Sequence, residues 1–120
     1  MLLEDKTAVV YGAAGSVGAA VARAFAREGA RVFLAGRTLA TLDAVAAEIA
    51  GSGGAVQTAR VDALDERAVD AHADAVAAEA GGIDVSFNAI GHGDVHGLPL
   101  LEMPLEDFAR PIVNAVRSQF

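Results

Sequence analysis

The chain has 120 residues, no cysteine and a formal net charge of −7 at pH 7. This length predicts one domain, and the negative charge argues against nucleic acid or an anionic membrane as a partner. The lack of cysteine excludes disulfides and thiolate zinc sites, and no metal site is predicted. No unbroken apolar run reaches about 18 residues and no signal-peptide pattern is present, so we expect a cytoplasmic protein.

Segments with strand periodicity alternate with segments of helical periodicity along the chain. Gly29 follows the first helical segment and is well placed to end it. The elements are predicted, in order, as a strand over 7–11, a helix over 16–28, a strand over 31–35, a helix over 39–50, a strand over 55–61, a helix over 65–80, a strand over 83–88 and an amphipathic segment over 104–120.

This alternation predicts an α/β fold in which a doubly wound, Rossmann-like parallel sheet has right-handed crossovers. The expected strand order is 3-2-1-4, with the switch point between strands 1 and 4. Ligands bind beyond the carboxyl ends of the strands at such a point. The polar and glycine-rich loops that follow the four strands are therefore expected to meet at one site.

The loop after the first strand is rich in glycine. Its G-x-x-G-x-x-G spacing predicts a tight turn that brings backbone N–H groups and a helix N-terminus to the pyrophosphate of a dinucleotide. A glycine turn in an unrelated α/β protein stays open, because the spacing departs from G-x-G-x-x-G. The predicted cofactor-binding residues of this loop are Gly12, Ala14, Gly15, Ser16, Val17 and Gly18.

The end of the second strand indicates which dinucleotide is bound. An NAD site usually has Asp or Glu there, whereas this chain has Gly36 followed by Arg37 and Thr38. A guanidinium can bind a 2′-phosphate through two charge-assisted hydrogen bonds, so NADP is favoured over NAD. Two alternatives stay open, namely that Arg37 is a solvated loop arginine and that Thr38 only caps the following helix.

The loops after strands 3 and 4 are Asp62-Ala63 and Asn88-Ala89-Ile90-Gly91. The carboxylate of Asp62 could accept a hydrogen bond from the adenine amino group, or Asp62 or Asp65 could cap the next helix. Asn88 ends an apolar strand, so its amide must find a partner. That partner is either the ligand or neighbouring protein, and both remain open. Both loops are predicted to bind the cofactor.

Together these residues resemble the short-chain dehydrogenase/reductase family, over a length equal to about the N-terminal half of such an enzyme. The segment 11–18 is similar to the family's Thr-Gly-x-x-x-Gly-x-Gly, with Tyr11 replacing threonine and the middle glycine one position early. The segment 88–91 is similar to Asn-Asn-Ala-Gly, and Asp62 matches an aspartate that contacts adenine. Val113-Asn114 resembles a pair on the family's fourth helix.

The resemblance implies hydride transfer between NADP(H) and a small carbonyl or alcohol substrate, in a parent that is a homo-oligomer. It assigns Asn114 a catalytic role, because the family's asparagine holds a water in a proton relay. The family's later serine and Tyr-x-x-x-Lys have no counterpart, since the only tyrosine is Tyr11 and the only lysine is Lys6. A non-catalytic NADP-binding module is therefore the alternative. His92 and His96 lie in a glycine-rich loop and are not expected to act in catalysis.

Ile83, Val85 and Phe87 in the fourth strand lead us to expect a central strand, and the last segment runs to Phe120 without a glycine or proline stop. We therefore expect residues 1–120 to form a single dinucleotide-binding domain that is the N-terminal half of a longer enzyme. A complete short protein that ends in a frayed helix stays open.

Overall fold

The computed structural model describes all 120 residues. The predicted elements are confirmed, with ends that move by no more than two residues, and one short 3-10 turn is added. In order, the elements are β1 Thr7–Tyr11, α1 Ser16–Arg27, β2 Arg31–Gly36, α2 Leu39–Gly51, β3 Val56–Arg60, α3 Glu66–Ala80, β4 Val85–Asn88, a 3-10 turn Leu100–Glu102 and α4 Leu105–Gln119.

The four strands form one parallel sheet in the order β3-β2-β1-β4, as predicted. Tyr11, at the end of β1, pairs with Ala35 on one side and Asn88 on the other. Gly36 of β2 pairs with Arg60 at the end of β3. The four strands therefore end side by side, and the loops that follow them leave the same edge of a Rossmann-like sheet.

The main core lies between the sheet and the pair α1 and α2. Val10 and Leu34 project from the strands, and Leu42 of α2 packs against them with no exposed surface. Burying one such leucine contributes about 1.5–3 kcal/mol. Gly29 has a φ of +93° and ends α1, as the sequence predicts.

The opposite face of the sheet carries a smaller cluster. Val9 and Phe33 pack there against Val76, which is the only buried residue of α3. No residue of α4 is buried. The two faces differ because α1 and α2 lie against the two central strands, whereas little of α3 and α4 enters the core. No helix here has the length and apolar character that a bilayer crossing demands.

Tyr11 and His72 meet on this second face. Their rings lie edge to face with centroids 6.3 Å apart and planes at 75°. Partial burial lowers the pKa of His72 and raises the pKa of Tyr11, because both charged forms would lose hydration. The Nδ1 atom of His72 is buried and has no hydrogen-bond partner. The folded chain therefore favours neutral His72.

This burial makes the stability of the fold dependent on pH. The unfolded chain binds a proton at His72 more readily than the folded chain, so stability falls as the pH drops through the ordinary histidine value of about 6.5. We expect the free energy of unfolding of the wild type, measured by urea denaturation, to decrease between about pH 7.5 and 5.5. The free energy of unfolding of the variant His72→Gln should decrease less than that of the wild type over the same pH interval.

The matched control is His96→Gln, which removes an exposed histidine from a loop. It should follow the wild type at each pH. Parallel pH profiles for the wild type and His72→Gln would contradict the assignment of a neutral, partly buried His72.

Candidate functional site

Two of the three glycines in the loop after β1 are required by the packing of the chain. Gly12 has a φ of +73°, and a β-carbon there would lie 2.6 Å from the carbonyl oxygen of Ala89. A β-carbon at Gly18 would lie 2.2 Å from the carbonyl oxygen of Gly12. Real β-carbons do not approach backbone atoms so closely. These glycines let α1, the β1 loop and the β4 loop touch through their backbones.

Gly15 differs from the other two because nothing in the fold requires it. Its φ of −73° and ψ of 165° suit any residue. A β-carbon at Gly15 would meet only the carbonyl oxygen of Gly12, at an ordinary 3.5 Å. Gly15 is exposed, as are Ala14, Ser16 and Val17 beside it. A side chain at Gly15 would therefore lie at the protein surface, next to the start of α1.

The start of α1 presents free hydrogen-bond donors. Gly15 is the N-cap residue, no side chain caps the helix, and its first turn contains no acidic residue. The backbone N–H groups of Ser16, Val17 and Gly18 donate to no acceptor in the chain. Such unpaired donors at the positive end of a helix dipole attract an anion.

A second uncapped helix start lies after β2. Thr38 is the N-cap residue of α2 with an extended backbone, but its hydroxyl makes no capping bond. The carbonyl oxygen of Thr38 accepts the hydroxyl of Thr41 at 2.9 Å. Arg37 is exposed and forms no ion pair. The Thr38 hydroxyl and the Arg37 guanidinium thus remain available at this edge of the sheet.

The two aspartates of the loop after β3 differ in whether they cap the next helix. Asp65 caps α3, with its Oδ1 accepting the backbone N–H of Ala68 at 3.2 Å. Asp62 instead accepts the N–H of Leu64 at 3.0 Å through Oδ1. Its Oδ2 has no partner in the chain. Asp62 is therefore not the helix cap, and one of its oxygens remains free beside Ala63.

The amide of Asn88 is fully engaged by the protein. Its Oδ1 accepts the N–H of Ile90 at 3.0 Å, and its Nδ2 donates to the carbonyl oxygen of Ser118 at 3.0 Å. The N–H of Ala89 donates to the carbonyl oxygen of Tyr11 at 2.9 Å. Asn88 therefore ties α4 to the loop after β4. Ser118 lies 30 residues away in sequence, and no motif identified it as the partner.

Asn114 makes a similar connection. Its Nδ2 donates to the carbonyl oxygen of His92 at 3.0 Å, which fixes α4 to the glycine-rich loop. The Nδ1 atom of His92 is buried without a partner. Gly93 has a φ of +80° and packs its backbone against the side chain of Arg110 on the same helix. His92 thus contributes its backbone to the position of α4, a role that the sequence analysis did not predict.

A cleft of about 490 Å³ lies between the start of α3 and the end of α4. It touches the predicted site only through Ala63, next to Leu64 and opposite Val116 and Phe120. The other predicted site residues do not line this cleft. No three side chains of the kinds that ligate metals come together.

Comparisons with known proteins identify oxidoreductases whose sequences are similar to this chain. The sequence model of a family described as Enoyl-(Acyl carrier protein) reductase matches residues 12–120. An uncharacterized oxidoreductase of Bacillus subtilis is 37% identical over 118 residues, which are 98% of this chain and 43% of the relative. The D-threitol dehydrogenase of Mycolicibacterium smegmatis is 40% identical over 106 residues, or 88% of this chain and 40% of the relative.

Solved structures show the same fold. A metagenomic short-chain oxidoreductase in complex with NADP superposes with a TM-score of 0.85 at 35% identity, and covers 98% of this chain and 53% of that one. A short-chain type dehydrogenase/reductase from Mycobacterium marinum has a TM-score of 0.80 at 36% identity, with 97% and 48% covered.

The chain spans about two fifths of the length of the curated relatives it matches and about half of the similar structures. This chain belongs to the short-chain dehydrogenase/reductase family of oxidoreductases.

Proposed function

We propose that this chain binds NADP(H) and serves an enzyme that transfers hydride between the nicotinamide and a small carbonyl or alcohol substrate. The observation that carries the proposal is Gly15. It is a glycine that the fold does not need, placed over a helix start whose N–H groups are unpaired. A pyrophosphate lying against that helix start would explain why no side chain occupies the position.

The adenosine half of the cofactor would lie along the edge between β1, β2 and β3. Asp62 has a free Oδ2 that can accept a hydrogen bond from the adenine amino group, and Ala63 lies next to it. The backbone of Ala89, Ile90 and Gly91 would bound the other side of the nucleotide. The register supports this proposal, because it brings the ends of β1 and β4 together.

The end of β2 supports NADP as the preferred cofactor. Gly36 presents no carboxylate to repel a phosphate, and the guanidinium of Arg37 has no competing carboxylate partner. The similar metagenomic oxidoreductase, whose structure contains NADP, supports the same preference. Thr38, whose hydroxyl does not cap α2, would donate to the same 2′-phosphate.

When bound, the nicotinamide supplies or accepts the hydride, and the chain orients it. We propose that Asn114 takes part in the proton relay. Its Nδ2 is held by the His92 carbonyl oxygen, which leaves Oδ1 to accept a hydrogen bond from water. Asn88 acts as a positioning residue, because its side-chain amide forms hydrogen bonds with Ile90 and Ser118.

We further propose that residues 1–120 form one domain, the N-terminal half of a longer homo-oligomeric enzyme. The backbone of β4 is paired on one side only. The apolar side chains of α4 are exposed, including Leu105, Phe108, Ile112 and Val116. Further strands and a second subunit would cover these surfaces. The cytoplasmic location expected from the sequence stays a prediction.

A non-catalytic NADP-binding module is the second candidate. It is favoured by the positions of Tyr11, which lies at the glycine loop, and Lys6, which precedes β1. Neither residue can form the family's Tyr-x-x-x-Lys pair. The two candidates agree on the cofactor and differ on whether a reductase results when the chain has its full enzyme context.

The role of Gly15 is tested by Gly15→Ala. We expect the free energy of unfolding to change by less than about 1 kcal/mol, since the backbone conformation and the space both tolerate a methyl group. We expect NADPH affinity, measured by isothermal titration calorimetry, to fall by about tenfold or more. Gly51→Ala, at a position with open space in α2, should leave NADPH affinity unchanged. Unchanged NADPH affinity in Gly15→Ala would contradict the proposed site.

The cofactor preference is tested by Arg37→Asp. Loss of a charge-assisted bond of about 1.5–3 kcal/mol and the new repulsion should weaken NADPH by about 10–100-fold. NADH should bind more tightly, because the carboxylate can accept bonds from the ribose hydroxyls. The control is Arg27→Asp, which makes the same charge change at the far end of α1. Equal NADPH and NADH affinities in both the wild type and Arg37→Asp would refute the assignment.

Catalytic competence is tested with the wild-type chain itself. It should bind NADPH and yet show no ketone-dependent oxidation of NADPH in a spectrophotometric assay, since no tyrosine or lysine is placed as general acid. Steady NADPH oxidation that scales with the concentration of the purified chain would overturn the proposal that this chain binds the cofactor but lacks the general acid.

A further inference from the structure

Arg60 ends β3 directly beside the end of β2. It pairs with Gly36 in the parallel register, and the N–H of Val61 donates to the carbonyl oxygen of Gly36 at 2.9 Å. Neighbouring strands lie about 4.8 Å apart. Arg60 therefore emerges one strand away from the residue that precedes Arg37, and the hydrogen bond fixes that spacing.

The side chain of Arg60 lies on the α2 face of the sheet. Thr58, two residues earlier, donates its hydroxyl to Asp43 of α2 at 2.8 Å, whereas Gln57 reaches Glu79 of α3. Because side chains alternate along a strand, Arg60 shares the face of Thr58. Gly36 agrees, since a β-carbon there would point at Leu42 of α2, 3.2 Å away.

Arg60 and Arg37 therefore flank the start of α2. Both are exposed, and neither forms an ion pair. Asp43 is the carboxylate that faces this strand from α2, and it accepts the Thr58 hydroxyl instead. The first turn of α2 carries no acidic residue and no side-chain cap. A chain with a net charge of −7 thus keeps two unneutralised guanidinium groups at one corner.

We propose that Arg60 is a second ligand of the 2′-phosphate of NADP(H), and determines the cofactor preference together with Arg37. The inference rests on the proposed function and adds a residue to it. A phosphate monoester carries between −1.5 and −2 charges at about pH 7. The guanidinium of Arg37 neutralises about half of that charge. The guanidinium of Arg60, whose backbone the β2–β3 register places beside Gly36, neutralises the rest.

The experiment compares Arg60→Gln, Arg60→Lys and Arg37→Gln with the wild type, using calorimetric titration of NADPH and NADH. Arg27→Gln is the control, because it removes the same charge at the other end of the sheet. We expect Arg60→Gln to weaken NADPH by about 5–30-fold and to change NADH by less than twofold. Arg60→Lys should keep part of the NADPH affinity, since it retains the charge but loses the planar fork.

Titration with 2′-AMP and 5′-AMP identifies which phosphate is recognised. Arg60→Gln should weaken 2′-AMP and leave 5′-AMP unchanged. If Arg60→Gln lowers the affinity for both nucleotides alike, Arg60 acts through a general electrostatic attraction or binds the pyrophosphate. The proposal is then overturned. Circular dichroism melts establish that each variant folds, and Arg60→Lys carries the test if Arg60→Gln does not.

The failure of this inference is separable from failure of the proposed function. If Arg37→Gln weakens NADPH and Arg60→Gln does not, the NADP site stands and the role of Arg60 is wrong. If the wild type binds NADH as tightly as NADPH, or binds neither, the proposed cofactor itself is wrong and the role of Arg60 falls with it.

Discussion

At Gly12, three backbone segments approach one another with no side chain between them. The carbonyl oxygen of Ala89 lies 2.6 Å from where a β-carbon of Gly12 would stand, and the carbonyl oxygen of Gly12 lies 2.2 Å from where a β-carbon of Gly18 would stand. This contact sets how far the start of α1 lies from the end of β4. A larger residue at either glycine would force the helix or the β4 loop outwards, and the donors at the helix start would move with it.

The same contact explains the different status of Gly15. Gly12 and Gly18 are required by close backbone contacts within the fold, whereas Gly15 makes no such contact. A ligand is therefore the remaining reason for a glycine at this position. The distinction is physical, because it follows from what an added methyl group would touch. At Gly12 and Gly18 it would overlap backbone atoms, which cannot move aside, whereas at Gly15 it would meet one backbone oxygen at an ordinary contact distance.

The ion pairs of the chain do not involve the arginines that follow or end β2 and β3. The ion pairs Arg23–Glu48, Arg31–Glu79 and Arg110–Asp107 are partly exposed, and such pairs contribute about 0–1 kcal/mol each. The arginines at the ends of β2 and β3 take part in none of them. Around β4 the polar groups have a different task, because Asn88 and Asn114 hold α4 by hydrogen bonds where buried side chains are lacking.

The sequence by itself determined the order of elements, the parallel sheet and the positions of the loops proposed to bind the cofactor. Periodicities of 2 and 3.6, glycine at turns and the alternation of strands with helices are local properties, so they can be read along the chain. The glycine loop and Arg37 were found in the same way. Only the tertiary structure decided that Asp65 rather than Asp62 caps α3 and that Asn88 bonds Ser118. It also placed Arg60 beside Gly36. The cap is a local choice between two nearby aspartates, which sequence patterns left open. The contacts of Asn88 and Arg60 depend on helix packing and strand register, which bring together residues that local sequence patterns do not relate.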